Sequence, residues 1–155
     1  MISDIETRLI EKGLTLPHAA APAANYVPFV CTGNLVFISG QLPMQDGKLQ
    51  YKGTVGRDVS IEDAIKAAEI VALNILAQLK AACGGDLSRV KRCVRLGGFV
   101  ACTNEFTEQP KVINGASNLM VELLGDAGRH SRAAVGTNAL PLGTPVEIDA
   151  VFEIQ

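Results

Sequence analysis

The chain reads as an α+β fold, a mixed β-sheet with two main helices packed on one face. Three observations carry that reading. Two segments, Ala64 to Leu79 and Val112 to Leu124, repeat apolar residues at helical spacing. Short apolar runs bounded by turn residues, such as Leu35 to Ser39 and Val94 to Cys102, read as strands. In the final segment Val146, Ile148, Ala150, Phe152 and Ile154 share one side, and Glu147, Asp149 and Glu153 share the other.

The elements follow in order. Ser3-Asp4-Ile5-Glu6 has the spacing of a capping box, Ile5, Leu9 and Ile10 make an apolar face, and Gly13 closes a short first helix. Leu16 to Pro22 is a Pro/Ala connector, so residues 1–22 form an N-terminal helical extension. Val27 to Cys31 and Leu35 to Ser39 flank Thr32-Gly33-Asn34 as a hairpin, and Ser39-Gly40-Gln41 ends its second strand. Met44 to Asp58 is a polar, Gly-bearing loop with room for one short strand. Ser60-Ile61-Glu62-Asp63 starts the strongest helix, and Gly84-Gly85 stops it. Val94 to Cys102 is a strand in which Gly97-Gly98 permits close approach. Pro110 suits the first turn of the next helix, and Gly125 ends it. Two strands remain. Arg132 heads an otherwise uncharged run that reads as a buried strand, and Leu140-Pro141 returns the chain antiparallel as the strand carrying Glu147.

The 155 residues suit one domain spanning 1–155, with enough chain for a full core. Hydrophobic residues make up 48%, yet no uncharged apolar run approaches the length of a membrane span, about 18 residues. That apolar surface is expected in a core and in a subunit interface. The second face of the sheet needs a cover, and a closed cyclic assembly supplies it most simply. Acids at Asp4 and Glu6 and the lack of a basic start argue against a signal peptide, so a cytoplasmic protein is expected. Cys31, Cys83, Cys93 and Cys102 lack metal-ligand spacing, and the histidines are only His18 and His130, so no metal site is expected. The cysteines read as reduced, mostly buried small hydrophobes. A net charge of −2 and the absence of Trp argue against a nucleic-acid partner. The cluster Arg89, Lys91, Arg92 and Arg95 reads as a solvated helix–strand connection.

Among chemistry-bearing residues Arg132 stands first. A buried guanidinium needs an anion. That anion is either a structural carboxylate, Glu147 or Asp149 across the terminal hairpin, or a substrate carboxylate gripped by the planar fork. Glu147 is either an acid on an exposed sheet face or a carboxylate that handles water and protons. Tyr26 and Asn114 read individually as a half-buried tyrosine and a polar helix-face residue. His130 reads as a cap or partner near a helix end, and Ser39 has no triad-like partners. P-loop, GxGxxG and HExxH motifs are absent.

Taken together, several pieces resemble the YjgF/RidA family (endoribonuclease L-PSP-like) from about Ala23 to Ile154. They are Tyr26; Gly33-Asn34-Leu35-Val36-Phe37-Ile38-Ser39-Gly40-Gln41-Leu42-Pro43; Gly84-Gly85-Asp86-Leu87 through Val100; Asn114; Arg132; and Leu140-Pro141 through Val146-Glu147-Ile148-Asp149-Ala150. The resemblance implies a chorismate-mutase-like subunit and a homotrimer with ligand clefts between subunits. It implies an enamine/imine deaminase that hydrolyses 2-aminoacrylate-type intermediates to 2-keto acids and ammonia without a cofactor. It gives Arg132 the substrate carboxylate, Glu147 the attacking water, Tyr26 and Asn114 the cleft lining, and the backbone near Ala134 a share of the carboxylate. The chain departs from the family pattern in three ways: Ala134 where members carry Cys, the stretch before Tyr26, and an insertion at Thr107-Glu108-Gln109-Pro110. These mark a divergent subgroup. The alternatives are a non-catalytic keto-acid-binding trimer, an endoribonuclease, and a purely structural Arg132–Glu147 pair.

Overall fold

The computed structural model describes residues 3–21 and 24–155. The end of the expected connector at Pro22 and the first matching residue, Ala23, lie outside them. Helix α1 (Asp4–Glu11) begins with the expected capping box. Ser3 Oγ accepts from the Glu6 N–H at 3.1 Å, and the Glu6 carboxylate accepts from the Ser3 N–H. Ile5 and Leu9 are buried, whereas Ile10, expected on the same apolar face, is exposed. Ile5 and Leu9 dock the helix on the core, and polar contacts add to this. Arg8 donates to the Leu123 carbonyl at 2.8 Å, and Glu6 pairs with Lys80 at 2.8 Å. The Lys80 contact, reinforced by the Ser3 N–H, holds the Glu6 carboxyl below its ordinary value. Gln78 ties the connector down by donating to the Ala20 carbonyl at 2.8 Å.

Strands β1 (Phe29–Thr32) and β2 (Leu35–Gln41) form the expected hairpin, with Gly33 at φ 56°. The first strand starts at Phe29 rather than Val27, because Pro28 has no N–H for the ladder. The loop that follows carries not one short strand but two, β3 (Met44–Gln45) and β4 (Lys48–Leu49). Asp46 and Gly47, at φ 53° and 76°, make the tight turn between them.

Helix α2 (Ile61–Ala82) is capped by Ser60, which accepts from the Asp63 N–H, and stops where Gly84 takes φ 66°. Strand β5 (Val90–Ala101) starts four residues earlier than expected, at Val90. It absorbs Lys91, Arg92 and Arg95, so these basic residues are strand positions rather than a connection. Lys91 pairs with Glu153 at 3.5 Å and Arg95 with Asp149 at 3.4 Å. Helix α3 (Gln109–Leu124) has Pro110 in its first turn and Gly125 at its C-cap. Strands β6 (Ser131–Thr137) and β7 (Val146–Ile154) close the chain.

The main sheet has the order β1-β2-β7-β5-β6. Strands β6 and β7 therefore do not form the expected hairpin: β5 lies between them. β5 pairs antiparallel with β7 and parallel with β6. The parallel pair is joined by α3, the kind of crossover such a pair requires. β6 is thus an edge strand, largely exposed rather than buried.

The alternation in β7 holds throughout. Val146, Ile148, Ala150, Phe152 and Ile154 are buried beneath α2 and α3. Close approach of the layers depends on glycines. A Cβ at Gly98 would sit 2.6 Å from the Ile113 side chain, and one at Gly115 would sit 2.4 Å from the Ile65 carbonyl oxygen. Backbone cannot rotate away as a side chain can. Gly115→Ala is therefore expected to force α2 and α3 apart and destabilise the fold by about 1–3 kcal/mol. A fall in the urea midpoint with unchanged slope would show this; an unchanged midpoint would refute it.

Among the described residues none forms a helical layer on the other sheet face. There Val30, Phe37, Phe99 and Val135 remain 52%, 45%, 38% and 48% exposed. Among the described residues no helix is long and apolar enough to cross a membrane.

Candidate functional site

Arg132 lies second on β6, in register with Leu96, which is buried in the helix layer. Its side chain thus leaves the sheet on the helix side, at the free edge. Nη1 donates to Asn114 Oδ1 at 2.8 Å and to Ser117 Oγ at 3.1 Å. Asn114 and Ser117 are three apart on α3, so both present to the same side. Among the described residues Nε and Nη2 donate to nothing, and the guanidinium makes no ion pair. One side of the fork is held, and the other is open to solvent.

Behind Ser117 stands His130. Its Nε2 is 2.8 Å from Ser117 Oγ, and its Nδ1 is 2.6 Å from the Gly128 carbonyl oxygen. A carbonyl oxygen only accepts, so the proton belongs on Nδ1. Nε2 is then an acceptor, Ser117 donates its hydroxyl to it, and Ser117 Oγ accepts from Arg132. Burial, and then the Arg132 charge, push the His130 pKa down against the opposing Gly128 contact, which favours the neutral ring this chain requires.

Glu147 lies elsewhere. It is in register with Phe99, on the face without helices, two strands from β6. The structural pairing of Arg132 with Glu147 or Asp149 is overturned within the subunit. The two strands are not neighbours, Arg132 and Glu147 leave opposite faces, and Asp149 is engaged by Arg95. Glu147 is half-buried against Gly40: a Cβ there would sit 2.2 Å from its Oε2. The β2–β7 register breaks between Ile38 and Gln41, and that irregularity brings Gly40 beneath the carboxylate. Burial first, and then Asp149, raise the Glu147 pKa.

Tyr26 is exposed, just before β1 at the sheet edge opposite β6. Its neighbour Val27 accepts from Ser39 Oγ at 2.8 Å, and Ser39 adjoins Gly40. Tyr26, Ser39, Gly40 and Glu147 therefore gather at one end of β2, while Arg132, Asn114 and Ser117 gather at the far edge. The five residues expected at one site fall into two groups within the subunit. Ser117 was not singled out by the sequence; Gly40 was marked only as a strand end within the family motif, and His130 only as a cap or partner near a helix end. The Asn114–Ser117 helical spacing is a local signal that could have found Ser117.

Residues 6–152 match the family described as YjgF/chorismate mutase-like, putative endoribonuclease. The chain belongs to the YjgF/RidA family. Protein TCP17 of Trypanosoma cruzi is 44% identical over 152 residues, covering 97% of this chain and 94% of TCP17. The crystal structure of Atu1372 from Agrobacterium tumefaciens, a protein of unknown function, is 57% identical at a TM-score of 0.92, covering 98% of this chain and 93% of that one. The crystal structure of RidA from an Antarctic Psychrobacter is 28% identical at a TM-score of 0.60, covering 88% of this chain and 94% of that one.

Ala134 and Gln109, two residues expected at departures from the family pattern, both lie against or on β6. Ala134, in register with Gly98, is half-buried on the same side of β6 as Arg132. The 107–110 segment leads into α3, where Gln109 donates to the Phe106 carbonyl at 2.8 Å. Gln109 and Phe106 help line a cavity of about 300 Å³ against Gly136 and Thr137 of β6. A larger cavity of about 630 Å³ lies on the outer helical surface, lined by residues of α2 and α3 with Lys12 and Leu14. It touches Asn114 but not Arg132.

Proposed function

We propose that the protein is a cofactor-independent enamine/imine deaminase, hydrolysing small 2-aminoacrylate-type intermediates to 2-keto acids and ammonia. The observation that carries this reading is the half-held fork of Arg132. A guanidinium fixed on one side by Asn114 and Ser117, with donors open on the other, suits a planar carboxylate.

The second group supports an assembly. Tyr26 and Glu147 belong to the β1 end of the sheet, and Arg132 and Asn114 to the β6 edge. A closed ring that sets the β1 side of one subunit beside the β6 edge of the next would join the halves into one cleft. The same ring would cover Val30, Phe37, Phe99 and Val135. We take that assembly to be a homotrimer with three such clefts, acting in the cytoplasm where enzymes release these intermediates.

In the cleft, Arg132 and the backbone near Ala134 hold the substrate carboxylate, and Tyr26 lines the opposite wall. The imine carbon is already electrophilic, so orientation and proton transfer suffice. Glu147 takes a proton from water as the water oxygen bonds to that carbon and the C=N bond becomes single. The carboxyl then returns the proton to nitrogen. The Glu147 carboxylate then takes the hydroxyl proton of the carbinolamine and passes it to the amine nitrogen, so that the C–N bond breaks as the C=O bond forms and keto acid and ammonia leave.

The test is ammonia and keto-acid release from 2-aminoacrylate generated in place by a serine dehydratase. Added protein is expected to accelerate release in proportion to its concentration. Unchanged release by the assembled protein would overturn the reading, and keto-acid binding without release would make it a binding trimer that uses the same fork. RNA cleavage, which the family description carries, would show instead as a salt-sensitive RNA complex.

A further inference from the structure

We propose that Ser117 and His130 are positioning residues, a hydrogen-bonded brace that turns the two open donor groups of Arg132 toward a substrate carboxylate. The inference rests on the carboxylate-gripping reading of Arg132 and deepens it. An arginine on an exposed edge strand has several rotatable bonds, and each rotamer that must be frozen on binding lowers affinity. Here much of that ordering is present before substrate arrives. Asn114 Oδ1 and Ser117 Oγ both accept from Nη1, which restrains the guanidinium and leaves Nε and Nη2 without partners among the described residues.

Ser117 alone is a weak anchor, because a hydroxyl rotates. His130 removes that freedom by accepting the hydroxyl proton at Nε2. The Gly128 carbonyl in turn fixes the imidazole tautomer. The sequence runs in one direction only: Arg132 donates to Ser117, Ser117 to His130, and His130 to Gly128. Gly128 is held in a tight turn, since a Cβ there would sit 2.2 Å from the Met120 carbonyl oxygen. The brace therefore ends on rigid backbone.

Protonation of His130 would reverse the middle link. Nε2 would then donate to Ser117 Oγ, the Ser117 proton would turn elsewhere, and a second cation would stand near Arg132. Of the charged groups around His130, Arg132 works with burial against this protonation. α3 presents the neutral Ser117, and the turn before β6 presents Asp126 paired with Arg129 at 3.5 Å. β5 presents Arg92, which donates to the Arg129 carbonyl at 3.0 Å, and β6 presents Arg132 itself.

The experiment compares wild type, His130→Leu, His130→Gln and Ser117→Ala in the assembled protein. Binding of 2-oxobutanoate is measured by calorimetry between pH 5 and pH 8, KM and kcat with the enamine at pH 8, and ring and guanidinium ¹⁵N signals by NMR. His130→Leu and Ser117→Ala are expected to weaken keto-acid binding on the order of tenfold, as loss of a hydrogen bond to a charged group does. They should raise KM more than they lower kcat. His130→Gln, whose amide oxygen can accept from Ser117, should restore most of the binding. Wild type should show an Nδ1-protonated ring and lose affinity only as pH falls below the ordinary histidine range, because burial and then Arg132 hold the His130 pKa down; His130→Gln should lose that dependence. Unchanged binding, pH profile and Arg132 signals in His130→Leu would overturn the brace. If wild type neither binds keto acid nor accelerates ammonia release from the enamine, the deaminase reading fails. The brace is then judged by whether the Arg132 signals broaden in His130→Leu and Ser117→Ala.

Discussion

Replacing Arg132 with Ala is expected to abolish useful turnover of 2-aminoacrylate while the subunit keeps its stability. Both halves of that expectation follow from where the guanidinium sits. It is exposed on an edge strand, its partners are the neutral groups of Asn114 and Ser117, and it makes no ion pair among the described residues. Removing it leaves no buried carboxylate behind, so the folding free energy should change by less than about 1 kcal/mol. A buried ion pair would behave differently, losing about 3–5 kcal/mol when one partner is deleted. For the substrate the loss is large. A carboxylate that receives two charge-assisted hydrogen bonds, each contributing about 1.5–3 kcal/mol, should bind at least a hundredfold more weakly without them. Arg132→Lys should recover little of this, because an ammonium cannot offer the parallel fork. The measurements are kcat/KM, keto-acid affinity and thermal unfolding of both variants. A cooperative loss of fold in Arg132→Ala, or full activity in it, would contradict the assignment.

Glu147→Gln should have the second largest effect, with the opposite signature in stability. Its carboxyl is held above the ordinary glutamate value of 4.5 by burial and then by Asp149. Asp149 is shared with Arg95 at 3.4 Å, so its own charge on Glu147 is partly offset. A raised pKa in the folded chain means that the neutral form is favoured there. Ionised Glu147 therefore works against folding, and that penalty grows as pH rises from the unfolded value through the folded one. Gln lacks the penalty. The variant should be as stable as wild type or more so at neutral pH, and the difference should shrink below pH 4.5. Turnover should fall by about 10²–10⁴, the usual contribution of a positioned acid–base group. The acid limb of the wild-type rate profile should lie above the ordinary glutamate range and vanish in the variant. A destabilised Glu147→Gln at neutral pH, or an unmoved acid limb, would count against this role.

The residues that made the fold readable are those whose signal is local. The apolar stripe of α2, the Ser60 cap and the Gly84-Gly85 stop need only their own neighbours to be interpreted, and the structure keeps all three. The alternation of β7 is likewise a property of one segment. The basic run at Lys91 and Arg92 misled because charged side chains suit the open face of a strand as well as a connection. Ile10 misled because one short helix does not reveal which of its apolar neighbours meets the core. The candidate site was legible only as residue types, Arg132, Glu147, Asn114, Tyr26 and Ala134, and not as an arrangement.

The sequence by itself determined the main element types, the helix-facing residues of the last strand and the family, and it marked the candidate site residues. These depend on periodicity, capping and short motifs, where each residue acts on others within a few positions. Only the tertiary structure decided that β5 runs between β6 and β7. Strand neighbours are selected by burial of whole faces and by the α3 crossover, and no turn between Arg132 and Glu147 encodes that choice. Its consequence is the division of the candidate site. Arg132 leaves the helix side at one edge, Glu147 rises from the open side beside Gly40, and Ser117 with His130 gain their place only because α3 returns over the edge strand.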